Sequence, residues 1–266
     1  RDCVLPCIPA YRRAHSSPAA RLRNLSTDGR FGPHCALSTR HTRLMAGDMP
    51  SDAVVPLTDA YRVLRAVRPP DAPFPGVLAR TADDETVLLV HADVLDGWGG
   101  TAHEPGGHVL APRDLVRCRE GLAVEMDACA ERLDRLLDRR ASGGLRSGET
   151  VTLAVAVCRG LGELDAARPR GATDWGSGSW WITPDGRPLF VHDAQGRPAD
   201  VATTAMLSRL RTLVTDAALQ TALEDVEAAP LDASAEDRLF TAAEPGPIAT
   251  RVFAPATVRS IPIVQT

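Results

Sequence analysis

One stretch concentrates the side chains that could do chemistry: GATDWGSGSWWITPDGRPLFVHDA, residues 171–194, with Asp174 near its start, Ser179 inside it and Asp193 near its end. Asp174 and Asp193 can be read as paired carboxylates for acid–base work, one holding a proton while the other stays ionised. The plainer alternative is that Asp174 caps a loop and Asp193 ends a strand, and both readings stay open on the sequence. A serine triad of Ser177, His192 and an aspartate would need geometry that spacing does not supply. The run WGSGS is also not a nucleophile elbow, because Trp175 stands where the first glycine belongs. Upstream, HEPGGH sets His103 and His108 five apart with Pro105, Gly106 and Gly107 between them. A zinc helix needs histidines four apart on one face, so this run reads as a solvated turn. Cys3, Cys7, Cys35 and His41 offer soft donors for zinc, but in spacing that matches no compact site. Cys158 falls in an apolar helical run and reads as a small core residue.

Trp175, Trp180 and Trp181 are candidates of a different kind. Adjacent strand residues point to opposite faces, so Trp180 and Trp181 cannot share one side. One is expected in the core and the other either exposed or under a loop; an exposed one would mark a contact surface, for which Trp175, Trp180 and Trp181 are the candidates.

The elements that must hold these residues follow from periodicity. SWWI and PLFV read as two short strands around TPDGR, with Asp185-Gly186 as the turn signal. SGETVTLAVAVCRGLGELDAA reads as a long buried helix with Ser147 as its cap and a stripe of Leu153, Val157, Leu161 and Leu164. DACAERLDRLLDRRAS puts Leu133, Leu136 and Leu137 on one helical face. Residues 199–229 read as helix, broken near Asp216. Further upstream, GVLARTADDETVLLVHADVL reads as two strands joined at ADD, and LAVEM as a buried strand. LTDAYRVLRAV, in residues 51–68, reads as a short helix started by Thr58 or Asp59, and LAPRDLVRCREG as a short helix or a strand entry.

This order of strands, linker, amphipathic helix, long helix, loop, hairpin and helix resembles a shortened, diverged protein kinase over roughly residues 75–220. LAVEMDACAE looks like the last small-lobe strand and hinge, RLDRLLDRR like the helix after it, and ADVATTAMLSRL like the helix after the activation segment. ATDWGSGSWWI falls where the family has its His-Arg-Asp…Asn loop. The resemblance places Asp174 on the catalytic aspartate, Ser179 on the metal-binding asparagine and Asp193, in HDA, on the metal-binding aspartate. It implies an α+β, two-lobed fold with a small β-rich N-lobe and a helical C-lobe. The departures imply lost chemistry. Phosphoryl transfer needs a lysine on a small-lobe strand for the phosphates, and Asp and Asn for magnesium. No residue of this chain is lysine, and its one asparagine is Asn24. No G-x-G-x-x-G precedes the first strands, and GWGGTA at 97–102 lacks the spacing of a phosphate cradle. Arginine brings charge but a planar fork rather than a compact ammonium.

The expected role is therefore a catalytically inactive kinase-like domain that binds or regulates a protein partner, without cofactor or metal. The alternative is a divergent ATP-dependent phosphotransferase using Asp174 and Asp193. All 30 basic residues being arginine points to a GC-rich bacterial genome. Eight arginines against Asp2 and Asp28 set residues 1–44 at +6, and the whole chain is −4, which leaves the remainder at −10. An acidic body without a basic, aromatic-interleaved stripe argues against nucleic acid. No run approaches the ~18 apolar residues of a spanning helix, so no membrane segment and a cytoplasmic location are expected. The reading divides the chain into a disordered leader or over-extended start (1–48), a small lobe (49–126), a helical lobe (127–232) and a loosely ordered tail (233–266).

Overall fold

The structure is a computed structural model that describes residues 60–118, 121–169, 172 and 174–250. The leader, its cysteines and His41, and the expected cap residues Thr58 and Asp59 lie outside the described residues.

Among the described residues, nine strands and five helices give the α+β class expected. The first five strands are β1 (Tyr61–Val67), β2 (Gly76–Thr81), β3 (Thr86–His91), β4 (Pro112–Cys118) and β5 (Gly121–Asp127). They form one antiparallel sheet in the order β1-β2-β3-β5-β4. Two 3-10 turns, Ala92–Leu95 and Gly99–Ala102, lie between β3 and β4. Then come β6 (Glu131–Arg132), α1 (Leu133–Arg140), α2 (Ser147–Ala167), β7 (Ser177–Ile182), β8 (Pro188–His192) and β9 (Arg197–Pro198). Helices α3 (Ala199–Leu213), α4 (Ala217–Ala228) and α5 (Ala235–Ala242) close the order.

Three sequence expectations are corrected and one left open is decided. YRVLRAV is strand β1, not helix. Its apolar residues fit either period, and pairing with β2, through a bulge between Val63 and Arg65, decides the matter. PRDLVRC, left open between helix and strand, is the edge strand β4. Ser147 is the first helical residue of α2 rather than its cap. Arg146 holds the cap position, and the Glu149 carboxylate accepts the Arg146 backbone N–H. Within the tail expected to be loose, Ala235–Ala242 is helix α5, because Ala235 and Leu239 supply an apolar face that the core buries. Residues 243–250 then run back along the start of α2, where Thr152 Oγ1 donates to the Gly246 carbonyl at 2.8 Å.

The β7–β8 hairpin is the middle layer. Across its pairs Trp180 faces Phe190 and Trp181 faces Leu189. Trp180, Ile182 and Phe190 point to one side, into the large cluster built by α1 to α5. Trp181, Leu189 and Val191 point to the other, into a cluster shared with Leu78, Leu88, Val90, Val124 and Met126 of the five-stranded sheet. Alternation along a strand thus sends neighbouring side chains into two different cores. The sheet's far face carries a third, smaller cluster of Tyr61, Ala79, Val87, Leu89, Val116 and Ala123.

Two arginines tie the five-stranded sheet together and to the hairpin. Arg113 on β4 forks onto Glu85 at 2.6 and 2.7 Å and reaches Asp127 at 3.3 Å. Arg187, at the hairpin turn, donates to the other Asp127 oxygen at 2.7 Å and to the Gly107 carbonyl.

Candidate functional site

The site residues sit at the open end of the hairpin, away from its turn. Asp174 lies in the segment between α2 and β7, is exposed, and accepts the Gly176 backbone N–H at 2.8 Å. Gly176 has φ +79, a left-handed conformation that glycine adopts without steric cost. Asp174 therefore serves as a local loop cap. Asp193 follows the last residue of β8 and is also exposed. Its carboxylate accepts the Gln195 N–H at 2.9 Å, while its own N–H donates to the Ser177 carbonyl at 2.9 Å. Ser179 lies inside β7, opposite Val191, and its Oγ accepts the Trp181 indole N–H at 3.0 Å. Among the described residues, no three His, Cys, Asp or Glu side chains stand together in a group that could hold a metal ion.

The segment leading to Asp174 is anchored by Trp175. Its indole N–H donates to Asp165 of α2 at 2.9 Å, and the Arg168 guanidinium lies 4.8 Å from its ring centre. Arg168 also pairs with Asp165 at 2.7 Å, so cation, carboxylate and ring form one closed cluster. Gly178 follows on β7, and the strand needs its missing side chain: a Cβ there would stand 2.2 Å from the Val191 carbonyl oxygen.

The expected tryptophan surface is corrected. Trp180 and Trp181 are 2% and 4% exposed, so neither presents a contact patch, and Trp175 is partly buried against the helical core. The opposite-face argument holds. What it missed is that both faces of the hairpin are covered.

HEPGGH is a turn, as expected, with Glu104, Pro105 and Gly106 exposed, but its two histidines are partly buried and partnered. His108 Nδ1 lies 3.1 Å from the Pro188 carbonyl, and Glu163 of α2 accepts the backbone N–H groups of His108 and Val109 at 2.7 and 3.2 Å. His103 meets His192, the last residue of β8, with the two Nε2 atoms 3.3 Å apart. The ring centres are 5.4 Å apart and the planes 26° from parallel. Trp98 closes the arrangement, its indole N–H donating to the His192 carbonyl at 3.1 Å. Burial pushes His192 down to about 4, with His103 adding to the depression and Asp174 opposing it. Burial also holds His103 below the ordinary histidine value, against the pull of Glu163. His192 thus has His103, not Ser177, as its Nε2 partner, and the serine-triad arrangement does not form. Sequence reasoning had both histidines in view but no signal to join them across 89 positions.

Away from the hairpin turn, the space between the sheet and the hairpin is filled. The β1–β2 connection, RPPDAPFP at 68–75, contains no glycine. Its Ala72 is buried, and Phe74 packs edge-on against Trp98 at 5.4 Å. Trp181, Trp98, Leu95, Leu110 and Cys129 occupy the rest of the same cluster. Burial drives the Cys129 thiol far above its ordinary range and pushes Cys158 up to about 12, so neither is a nucleophile. A cavity of about 250 Å³, lined by Glu85, Asp127, Thr183, Asp185 and Arg187, opens at the hairpin turn, the end opposite Asp174 and Asp193. No helix among the described residues is long and apolar enough to cross a membrane.

No protein-family model matches the chain, and no curated protein matches it. Among solved structures it is similar to the kinase domain of Mycobacterium tuberculosis PknI, at 17% identity and a TM-score of 0.39, covering 69% of this chain and 96% of that one. A cysteine-to-alanine mutant of the same domain matches at 15% identity and TM-score 0.39, covering 69% of this chain and 94% of that one. No residue's role is carried over from these likenesses.

Proposed function

We propose that the chain is a catalytically inactive, kinase-like scaffold that works as a protein-binding or regulatory module. The observation that carries this reading is the filled space between the sheet and the hairpin. A nucleotide whose phosphates are held by a small-lobe strand, and whose metal is held by the loop before and after the hairpin, needs that space open. Here Trp181, Leu189 and Val191 meet Leu78, Leu88, Val90 and Met126 in one apolar cluster. The groups that would grip a nucleotide are missing too. No lysine is available on any strand, Ser179 is engaged by Trp181, and the β1–β2 connection is proline-rich and folded inward.

The test is calorimetric titration of the full chain with ATP, with and without magnesium. No binding in either condition is the expected result. Magnesium-dependent binding would overturn the reading and move the function to the second one, a divergent phosphotransferase. One observation favours that second reading: Asp174 and Asp193 are both exposed at the same end of the hairpin, each accepting a single backbone N–H. Under it, Asp193→Asn would abolish magnesium-dependent binding. Under the scaffold reading the same change touches only a loop cap that asparagine can also form, and stability moves by less than about 0.5 kcal/mol.

A further inference from the structure

The His103–His192 pair joins a loop to the end of a strand through two titratable rings, and this juxtaposition does not depend on whether the chain binds nucleotide. The loop of residues 96–108 has two anchors on β8 near His192. One is the Trp98 indole on the His192 carbonyl at 3.1 Å, and the other is the contact of Nε2 with Nε2 at 3.3 Å. Further along, the loop's exit is paired to β8, where Phe190 donates to the His108 carbonyl at 2.7 Å. The His192 ring is held in place from two sides, since a Cβ on Gly99 or Gly176 would stand 3.1 or 3.0 Å from it.

We propose that His103 and His192 form a proton-operated latch, which fastens the 96–108 loop over the end of β8 and releases it when both rings carry a proton. Neutral imidazole has one N–H and one lone pair, so one Nε2 donates and the other accepts. A first added proton enters at an Nδ1 and leaves the shared bond intact. A second leaves both Nε2 atoms as donors with no acceptor between them, and sets two cations side by side in a half-buried site.

Of the charged groups near the pair, three carboxylates already hold backbone partners. Glu163, facing His103 from α2, accepts the His108 and Val109 N–H groups on one oxygen, Oε2. Asp174, facing His192, is exposed and bonded to Gly176. Asp193 is exposed and bonded to Gln195, Glu104 is exposed, and His108 is turned to Pro188. Because burial depresses both rings, the sign is fixed. The closed loop is favoured above the ordinary histidine value, and that preference is lost as pH falls toward the depressed values.

Hydroxyl-radical footprinting of the full chain tests this, read by mass spectrometry on the peptide containing Trp98. Lowering pH from about 7.5 to about 4 should raise Trp98 oxidation by about threefold or more. The peptide containing Trp180 and Trp181 should stay constant and serves as the internal reference. In His103→Gln the step should shrink to less than half its size. A flat Trp98 profile in the native chain, or an undiminished step in the variant, would overturn the latch. If the reference peptide becomes oxidised in the variant at neutral pH, the variant has lost its fold, and NMR titration of the native histidines decides instead. Coupled titration with the last proton entering below the usual histidine value supports the latch, and two independent, ordinary titrations overturn it.

Discussion

At the scale of single residues, Trp181 decides most. It sits on the hairpin face turned toward the sheet, 4% exposed, with its indole N–H satisfied by Ser179. Truncation to alanine removes a large buried side chain from the middle of a packed layer, and Trp181→Ala should cost about 3–5 kcal/mol by chemical denaturation. The same variant is also expected not to bind ATP, because the emptied space is apolar and no lysine or asparagine is there to hold phosphate or magnesium. Calorimetry on the variant checks this second half, and nucleotide binding restored by the truncation would mean that Trp181 alone blocks a working site. At this scale the sequence was informative about type and poor about surroundings. It showed that Trp180 and Trp181 must diverge. It could not show that a sheet built from residues more than fifty positions upstream covers the face bearing Trp181. His103 and His192 were hidden for the same reason, because side-chain partnership across a long separation leaves no trace in spacing.

At the scale of elements, helices and hairpin turns were legible, because their signals are local. Asp216 breaks the 199–229 helix as expected, capping α4 through the N–H groups of Ala218 and Leu219 at 2.9 and 3.2 Å. Asp216→Ala should lower stability by about 1 kcal/mol. Strand β1 was misread because a short run with mixed periodicity takes its state from a partner strand. Helix α5 was missed because the Pro- and Ala-rich composition around it masks one apolar face. Yet that face is anchored: Leu239 is fully buried in the cluster of the helical layer. Leu239→Ala should therefore cost about 2–5 kcal/mol, more than the Asp216 cap, although it lies in what composition suggests is a tail. Parallel urea titrations of the two variants give the ranking, and an Asp216 effect exceeding that of Leu239 would show that α5 is only loosely docked.

At the scale of the whole molecule, the hairpin links the two halves of the chain in one packed unit. Its one face belongs to the core with the sheet and its other face to the core with the helices, so neither core can lose its packing without exposing the hairpin to water. Arg187 strengthens the tie, bridging the hairpin turn to Asp127 at the end of β5 and to the loop at Gly107. Such an arrangement removes the hinge that an open space between two lobes would provide, and it favours cooperative unfolding. The tryptophans report on both sides. Trp98 and Trp181 lie in the core shared with the sheet, while Trp180 lies in the helical core with Trp175 packed against it. Urea unfolding followed by tryptophan fluorescence and by far-ultraviolet circular dichroism should therefore give coincident transitions with a single midpoint. The slope should be that of one unit exposing the surface of both cores together. Separate midpoints, with the sheet melting before the helices, would mean that the hairpin packs on the sheet too weakly to couple them. The filled space would then be a contact that a ligand or partner is able to open.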